Sequence, residues 1–473
     1  MNVLHTIFTV VTTVAIFYYL IHHLIFGSVI VRAAFHVGRQ QRWEDEQAHA
    51  LTFSNPLAPG ISVLIPAHNE EAGIVASVTS LVEAHYPHVE IIVVDDGSKD
   101  ATVERLHEAF DLYEAELPVT EPRVGQVGRV LKTYASRKAP GLKVLSKTSV
   151  GRRSDAINAA FRRSTQPLVC MIDGDSILEP DALLRVAQPF VDDPSVVAAG
   201  GVVLPSNGSK VERGRVTDAR VPRTWLERTQ VLEYLRAFLV GRSGWSASNG
   251  LMIISGAFGI FRREVMAEVG GLDEESLAED AELVVAVHRA HRRRREDYRV
   301  VFVAEPVCWS ETPSTAKVLA RQRRRWSHGL GQMLSQHRDM IGRPRYGRLG
   351  VVTMPYFLLF ELWGPVVELL GLSTAVLGVA VGWVDPWLFL LFVAVSFLLS
   401  IAVSLAALLV EVIAFGRYQR VSDTLRLALA AVFEPFWFRP IHAIWRIRGL
   451  VASIRGERAV WGEMTRKGFA DGQ

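Results

Sequence analysis

The strongest constraint on this chain is the uneven distribution of its apolar residues. The segment Ile7–Val31 carries no charged residue, and Val351–Val412 carries only four, all of them acidic. About 20 consecutive apolar residues are enough to cross the hydrocarbon core of a bilayer, so both regions predict membrane helices. Residues 32–348 between them have the mixture of charged and apolar residues that is typical of a folded soluble domain. The chain is therefore predicted to hold a globular domain between membrane segments.

The charges beside these segments predict their orientation. The first segment is longer than the core of a signal peptide and no Lys or Arg precedes it, which predicts a retained helix. Basic residues follow from Arg32 onward, so the positive-inside rule places the central domain in the cytosol. Val351–Val381 and Trp387–Ile413 predict a hairpin of two further spans. Leu425–Val451 is apolar but carries several Arg, Glu and Pro residues, which favours a bent or interfacial helix, although an odd number of spans stays open. This pattern predicts a multi-pass protein of the cell membrane.

These segments divide the 473 residues into four predicted parts. Residues 1–50 hold the N-terminal helix and a linker, and 51–345 hold the cytosolic domain. Residues 346–455 hold the C-terminal membrane or interfacial helices, and 456–473 form a basic tail. The formal net charge of +3 indicates no nucleic-acid partner, whereas the flanks predict contact with the lipid bilayer. The two cysteines lie in separate apolar runs without a metal-binding pattern, which predicts buried thiols.

The central domain alternates short β-branched runs with helical segments of about 10–15 residues. This alternation predicts βαβ units and an α/β fold with a mainly parallel sheet. Asn69 is predicted to cap the first helix, which has acidic residues in its first turn. The predicted strands are Ser62–Pro66, Val89–Val94, Leu142–Ser146 and Pro167–Ile172. The predicted helices run from Asn69 to about Ala84, from the second strand to about Ala115, and over Ser154–Arg163.

Acidic residues follow three of these strands at their carboxyl ends, where ligands bind in parallel sheets. They are Glu70 after the first strand, Asp95 and Asp96 after the second, and Asp173 and Asp175 after the fourth. Two carboxylates separated by one glycine suit a hard divalent cation that also holds a diphosphate. Taken alone, such an Asp-Gly-Asp sequence more often forms an Asx-turn that closes a strand. The other acidic strand ends favour the metal.

A series of short motifs runs along the central domain. They are S-V-L-I-P-A-H-N-E-E directly after Ile61, V-V-D-D-G-S-K-D-A-T over Val93–Thr102, G-R-R-S-D-A-I-N-A-A over Gly151–Ala160, D-G-D over Asp173–Asp175, L-A-E-D-A-E-L around Glu279 and Asp280, and Q-R-R-R-W over Gln322–Trp326. Each motif is common by itself, but in this order they resemble the membrane-embedded, processive family 2 glycosyltransferases with a GT-A nucleotide-sugar-binding fold. Cellulose, chitin, hyaluronan and poly-N-acetylglucosamine synthases share the set. This chain departs from the family pattern at Arg153, where Lys is usual, and at Ala278, where Thr is frequent.

The resemblance implies an inverting transfer from a UDP-α-sugar to an acceptor hydroxyl, which gives a β-linked product. Asp280 is the implied general base beside Glu279, and Asp175 with Asp173 is the implied site of Mg²⁺ or Mn²⁺. Glu279 and Asp280 also suit the first turn of the helix that follows, where acids face the positive helix end. Both roles can hold together.

The resemblance also implies where the two substrates lie. Gln322, Arg325 and Trp326 are expected at the junction of the diphosphate and the acceptor, with Arg325 facing the diphosphate and Trp326 stacking on the acceptor sugar. An amphipathic helix near the bilayer would give the same pattern of residues. The implied nucleotide contacts are Ala67, Glu70, Asp96, Arg153, Asp155 and Asp173.

A membrane path for the growing polysaccharide is a further implication of the resemblance. Glu361, Trp363, Glu368 and Trp387 are its candidate lining, since charged residues in spans usually face an interior path. A Trp near the end of a span is more often an interfacial anchor. A small accessory membrane subunit stays open as a partner.

The donor and the product are the least specified part of this hypothesis. The stretches Pro435–Pro440 and Arg458–Gly468 resemble poly-β-1,6-N-acetylglucosamine synthases, which favours UDP-GlcNAc. Synthesis of hyaluronan, chitin or a β-glucan is an alternative. Transfer of one sugar to a lipid carrier is another alternative, against which the Q-R-R-R-W motif argues. A non-catalytic transport or scaffold subunit is the third, and the intact acidic motifs argue against it.

Overall fold

The structure is a computed structural model that describes residues 3–47 and 58–457. Its strands are β1 (Ile61–Ala67), β2 (Val89–Asp95), β3 (Leu112–Glu114), β4 (Val130–Ser136), β5 (Leu142–Lys147), β6 (Leu168–Met171), β7 (Ser176–Leu178), β8 (Val196–Pro205), β9 (Lys210–Glu212), β10 (Arg215–Asp218), β11 (Gly259–Arg262) and β12 (Arg299–Ser310). Within the described residues, ten strands form one sheet in the order β3-β4-β5-β2-β1-β6-β11-β8-β12-β7, and β9 pairs with β10.

The centre of the sheet is parallel. Strands β5, β2, β1 and β6 all run in one direction, and every residue of β1 except Pro66 is buried. Strands that are covered on both faces read as continuous apolar runs, which is why these runs were readable in the sequence. Antiparallel strands continue the sheet on both sides, with β4 beside β5 and β11 beside β6. The predicted α/β fold is confirmed, and the antiparallel margins are an addition to it.

Fourteen α-helices lie within the described residues. They are α1 (Val3–Gln47), α2 (Ile74–Val82), α3 (Thr102–Phe110), α4 (Arg153–Phe161), α5 (Ala182–Asp192), α6 (Trp225–Leu235), α7 (Ser243–Ser246), α8 (Arg263–Glu268), α9 (Glu279–Arg294), α10 (Ala316–Gln336), α11 (Met354–Tyr356), α12 (Gly364–Ala380), α13 (Pro386–Ala414) and α14 (Val421–Ile454). A π-helical stretch, Arg236–Arg242, joins α6 to α7. It packs against α1 and α13, so it connects the globular domain to the apolar flanks.

The first helix of the domain begins later than the sequence predicts. It starts at Ile74, and Asn69 does not cap it. Asn69 adopts a left-handed backbone conformation with φ of 57°, which Asn tolerates better than most residues. Its Oδ1 accepts a hydrogen bond from the N–H of Lys99 at 2.8 Å. The side chain therefore links the loops that follow β1 and β2.

The second predicted helix is too long at its C-terminal end. α3 ends at Phe110 rather than near Ala115, because Asp111 takes a left-handed conformation with φ of 50°. The chain then forms β3, which pairs antiparallel with β4. The pairing with β4 decides this boundary, and neither strand was predicted.

The apolar flanks contain two helices that are long and apolar enough to cross a membrane, as counted over the described residues. One covers His5–Gln40 of α1 and the other is α13. The region of the predicted span Val351–Val381 is bent, because Leu349–Leu362 and α12 meet at 47°. Pro365 in the first turn of α12 lacks the N–H that would continue the preceding helix. This bent pair gives a third span if both halves belong to one crossing.

The segment Leu425–Val451 lies within α14, a single helix of 34 residues that packs along α10. Its interfacial location stays a prediction. The tail segment Arg458–Gly468 lies outside the described residues. Three charged side chains of α14 pair with residues outside it: Arg439 with Glu368 at 2.9 Å, Arg446 with Glu361 at 2.8 Å, and Glu434 with Arg236 at 2.6 Å.

Candidate active site

One cavity of about 1610 Å³ extends from the carboxyl ends of β1, β2 and β6 to the helices α1, α12 and α14. Among the predicted catalytic, metal-binding and substrate-contacting residues, only Asp155 does not line it. The structure thus brings motifs from the whole central domain to one place, and joins that place to the apolar flanks. The predicted residues that line the cavity are Ala67, Glu70, Asp96, Arg153, Asp173, Asp175, Glu279, Asp280, Gln322, Arg325 and Trp326.

The ends of β1, β2 and β6 are drawn together by backbone contacts. The carbonyl oxygen of Ala67 accepts a hydrogen bond from the N–H of Asp96 at 2.8 Å. Gly174 lies so close to β1 that a Cβ there would be 3.1 Å from the carbonyl oxygen of Pro66 and 3.3 Å from Cγ of Glu70. The glycine of the Asp-Gly-Asp sequence therefore allows the third strand end to approach the first.

Asp96 has two donors beside the cavity. Lys147 forms an ion pair with one oxygen, and Oγ of Ser149 donates to the other at 3.0 Å. Lys147 is completely buried, and its Nζ also pairs with Asp155 at 2.6 Å. Asp155 in turn accepts a hydrogen bond from the N–H of Gly128 at 3.2 Å. Asp155, a predicted nucleotide contact, thus lies behind Asp96 and has no exposed surface.

Arg153 lies between two groups of acids at the start of α4. Its guanidinium pairs with Asp173 at 2.6 Å and with Glu279 at 3.1 Å, and it donates to the carbonyl oxygen of Gly256 at 2.7 Å. Burial alone would lower the pKa of Arg153, but the two carboxylates raise it above its ordinary value. Arg153 therefore connects the end of β6 to the start of α9.

Glu279 and Asp280 are neighbours in the sequence but have different surroundings. Burial raises the pKa of Glu279 and the charge of Asp280 adds to this, whereas Arg153 opposes it. Asp280 is less buried, and its two oxygens accept hydrogen bonds from the N–H groups of Gly256 at 3.0 Å and Ala281 at 2.8 Å. Backbone donors hold this carboxylate in place while it faces the cavity. The arrangement suits Asp280, rather than Glu279, for contact with an acceptor hydroxyl.

Asp175 lies in a surplus of negative charge. Burial raises its pKa well above the ordinary value, and the charges of Asp173 and Glu311 add to this. Among the described residues, no group of three or more His, Cys, Asp or Glu side chains is arranged to hold a metal ion. Mg²⁺ typically binds one or two carboxylates together with phosphate oxygens of the substrate. Asp173 and Asp175 therefore fit a divalent cation whose coordination a bound diphosphate would complete.

The residues of the Q-R-R-R-W motif line the cavity from α10. Burial lowers the pKa of Arg325, although the carboxylates of Glu279 and Asp173 oppose this. The indole of Trp326 is 43% exposed, and the guanidinium of Arg323 lies 4.2 Å from its ring centroid. An exposed aromatic ring beside hydrogen-bonding groups is suited to a sugar ring.

Three side chains of the site were not predicted. Lys147 ends β5, so attention to every strand end would have found it. Glu311 follows β12, of which only the apolar run around Cys308 was recognised in the sequence, without its bounds. Arg242 ends the π-helical stretch and lines the cavity. Burial lowers its pKa to about 10, and the charge of Asp280 opposes this. No local sequence signal marks Arg242, because its place depends on how the π-helical stretch packs.

Comparisons with known proteins show the family of the chain. The sequence profile described as "Glycosyltransferase like family 2" matches residues 59–329. The chain is 28% identical over 274 residues to "Probable glycosyltransferase YdaM" of Bacillus subtilis, which covers 57% of this chain and 55% of that protein. It is 23% identical over 302 residues to "Poly-beta-1,6-N-acetyl-D-glucosamine synthase" of Staphylococcus epidermidis, which covers 64% of this chain and 60% of that protein. The chain thus spans well under two thirds of the length of both relatives.

A solved structure shares the fold over nearly the whole chain. It is "Mannosyltransferase PcManGT from Pyrobaculum calidifontis in complex with GDP-Man and Mn2+", with a TM-score of 0.50 and 17% sequence identity. The likeness covers 95% of this chain and 100% of that one. At this identity it shows the fold alone, and it confirms the predicted fold class.

Proposed function

The chain belongs to the glycosyltransferase-like family 2, and from that premise we propose that it is a membrane-bound enzyme that polymerises a UDP-sugar into a β-linked polysaccharide and exports it. UDP-GlcNAc is the proposed donor. The similarity to a poly-β-1,6-N-acetyl-D-glucosamine synthase supports this choice. The proposed location is the cell membrane, with several spans and the catalytic domain in the cytosol.

The observation that carries the proposal is the single cavity that holds the acids of the strand ends, the acids of α9 and the Q-R-R-R-W motif, and that continues to the apolar flanks. A transferase needs the donor and the acceptor side by side, because transfer requires the reacting atoms to be in near-attack geometry. A polymerase that also exports its product needs the acceptor site to continue into the membrane part. The cavity is consistent with both requirements.

In the proposed reaction, Asp280 accepts the proton of the attacking acceptor hydroxyl. The oxygen then attacks the anomeric carbon of the donor as the bond to the diphosphate breaks, and UDP leaves. The N–H groups of Gly256 and Ala281 hold the carboxylate in position before the reaction, so little reorganisation is needed during it. Glu279 is proposed to act on Arg153, its ion-pair partner, and not on the acceptor.

The diphosphate of the donor is proposed to lie against Asp173, Asp175 and Arg325. Mg²⁺ or Mn²⁺ held by Asp175 and Asp173 would supply stabilisation of the negative charge that develops on the leaving diphosphate. Arg325 adds a cation on the side of α10. Trp326 is proposed to stack on the acceptor sugar.

The nucleoside is proposed to lie at the ends of β1 and β2, with Ala67, Glu70 and Asp96 around it. The path for the product is proposed to follow the cavity past Glu361 and Glu368, which both line it. Trp363 and Trp387 do not line it, and they are 41% and 78% exposed. Their proposed role is therefore that of interfacial anchors.

The test is UDP release by the purified full-length protein with a panel of UDP-sugars, each with Mg²⁺ and with Mn²⁺, followed by sizing of the product. The expected result is release with UDP-GlcNAc and a product of many sugars. Release with another donor would contradict the proposed donor, and a lipid that carries one sugar would contradict polymerisation. Absence of release with every donor would contradict an enzymatic function.

A further inference from the structure

Two lysines of β5 form similar ion pairs at opposite ends of the strand. Lys143 pairs with Glu90 near the start of β2, and Lys147 pairs with Asp96 just beyond the end of β2. β2 and β5 are parallel neighbours, so the two pairs lie on the same two strands. Only the second pair reaches the cavity, through Asp96. The chain thus contains a structural pair and a matched pair at the site.

The ammonium of Lys147 loses more hydration on folding than the ammonium of Lys143 does. Lys147 has no exposed surface, whereas the side chain of Lys143 is 26% exposed. A completely buried ammonium is tolerated only where carboxylates and hydrogen bonds compensate its lost hydration. Lys147 has two carboxylates, Asp96 and Asp155, and no exposed surface of its own from which to contact a substrate. Its role is therefore exerted through these two acids.

The three charged groups are the ammonium of Lys147 and the carboxylates of Asp96 and Asp155. One ammonium between two carboxylates leaves a net negative charge, and Asp96 is the member that faces the cavity. Without the ammonium, the two carboxylates would repel each other in a buried place, so Asp96 would turn away from its present position. Lys147 thus keeps Asp96 both in place and able to accept hydrogen bonds. Ser149 adds a second donor to the same carboxylate at 3.0 Å.

Asp155 extends this network to the other end of the site. It lies in the first turn of α4, two positions after Arg153, which pairs with Asp173 and Glu279. Gly128 packs directly against Lys147, and only a residue without a side chain fits there, because a Cβ at this position would lie 2.5 Å from Nζ of Lys147. The buried ammonium therefore connects the end of β2 to the helix that carries Arg153.

From these contacts we infer that Lys147 is a positioning residue of the donor site, which fixes Asp96 as the hydrogen-bond acceptor for the nucleoside of a UDP-sugar. The inference rests on the proposed function, in which Asp96 contacts the nucleoside. Lys147 sets the affinity for the nucleotide, and the transfer step at Asp280 does not depend on it directly.

The test is a double-mutant cycle on the affinity of the full-length protein for UDP, measured by calorimetry in the presence of Mg²⁺. Lys147→Met and Asp96→Asn are each expected to raise the Kd for UDP by about 10- to 100-fold, the range expected for loss of a hydrogen bond to a charged group. The variant with both changes is expected to be no weaker than Asp96→Asn alone, because Lys147 acts through Asp96. In turnover assays, Lys147→Met is expected to raise KM for the UDP-sugar and to leave kcat within about threefold.

Lys143→Met is the matched control, since it removes an ion pair of the same strands away from the cavity. It is expected to lower the melting temperature less than Lys147→Met, because Glu90 keeps its donors Ser62 and Thr165, and to leave the Kd for UDP unchanged. Equal fold-changes from Lys147→Met in the native and the Asp96→Asn backgrounds would overturn the inference, as would an unchanged Kd in Lys147→Met.

If Lys147→Met does not fold, Lys147→Arg replaces it in the same cycle. The expected result is a raised Kd for UDP that disappears in the Asp96→Asn background, because a guanidinium cannot occupy the enclosed place without displacing Asp96. An unchanged Kd, or the same change in both backgrounds, would overturn the inference. Failure of the native protein to bind UDP or to release it from any donor would instead contradict the proposed function, so the two failures are distinguishable.

Discussion

The two ends of the cavity differ in how their charges are balanced. At the strand ends, acids outnumber the basic side chains that pair with them, and the carboxylate of Asp175 lies close to those of Asp173 and Glu311. At the end beside the helices, the acids are matched one to one. The pairs there are Glu361 with Arg446 at 2.8 Å, Glu368 with Arg439 at 2.9 Å, Glu434 with Arg236 at 2.6 Å, and Glu233 with Arg323 at 2.6 Å.

This difference has a physical reason. Next to apolar helices, an unpaired charge loses its hydration without compensation, so each acid requires a basic partner. At the strand ends, a surplus of carboxylates is tolerated when a cation and polar groups of a substrate complete the balance. The difference separates a region with surplus negative charge, which a cation and a substrate can balance, from a region whose charges are balanced by the protein itself. The following predictions test that division, beginning with the largest effect.

The Asp280→Asn variant is expected to lower kcat for UDP release by about 10²- to 10⁴-fold, because an amide cannot accept the proton of the acceptor. The amide keeps one acceptor oxygen and so one of the two backbone hydrogen bonds, and the nucleotide site at the strand ends is unchanged, so the Kd for UDP is expected to stay near the native value. Asp297→Asn, a change of an exposed acid beyond the other end of α9, is the control with native activity. Native UDP release by Asp280→Asn would show that another group is the base.

Removal of divalent cations by a chelator is expected to abolish UDP release, and added Mg²⁺ or Mn²⁺ is expected to restore it. Asp175→Asn is expected to lower kcat/KM by about 10²- to 10³-fold, the usual effect of losing one group that stabilises developing charge. A titration of activity against metal concentration would check both results. Full activity after chelation would mean that the surplus of carboxylates at the strand ends does not serve a metal.

At the balanced end of the cavity, the Arg236→Met variant is expected to lower the free energy of unfolding by about 3 kcal/mol, because it leaves the carboxylate of Glu434 buried without its cation. The double variant Arg236→Met/Glu434→Met is expected to regain most of this loss. Thermal unfolding in detergent is the measurement. Arg439→Met, which breaks a more exposed pair, is the control, with a smaller expected loss. Equal losses in both single variants would contradict the role of burial.

The smallest effect is expected where α14 packs on α10. A Cβ at Gly449 would contact the carbonyl oxygen of Arg324 and lie 2.7 Å from Cβ of Ser327. Gly449→Ala is therefore expected to cost about 1–3 kcal/mol of stability by forcing the helices apart. The shift would move the segment that carries Arg325, so UDP release is expected to fall with it. Gly27→Ala, at a helical position with no atom within 4 Å of the added Cβ, is the control that should lower neither quantity.

Much of the fold could be predicted from the sequence because the strands at the centre of the sheet are buried on both faces. Their apolar runs need no partner to be recognised, as β1 and β2 illustrate. β11 was missed because it pairs with β6 and β8, which are distant in the chain, and β4 was missed because it is mostly exposed or half-buried and so lacks an apolar run. The bend before α12 was missed for a similar reason, because a hydropathy pattern does not report helix direction.

The candidate site, like the sheet, could be predicted in part. The strand-end rule and the motifs found the residues that line the cavity, because the carboxyl ends of neighbouring parallel strands meet at one edge. They did not separate Asp96, which lines the cavity, from Asp155, which lies behind it. That distinction depends on the buried ammonium of Lys147 and on the loop at Gly128.

The sequence by itself determined that this protein has a parallel α/β domain between apolar flanks, with acids at the strand ends and an acidic pair that begins a helix. Only the tertiary structure decided which of these acids are available to a substrate. It pairs Glu279 with Arg153 and holds Asp280 open to the cavity through the N–H of Gly256. The physical reason is that burial and charge pairing come from segments far apart in the chain, whereas strand and helix patterns are local.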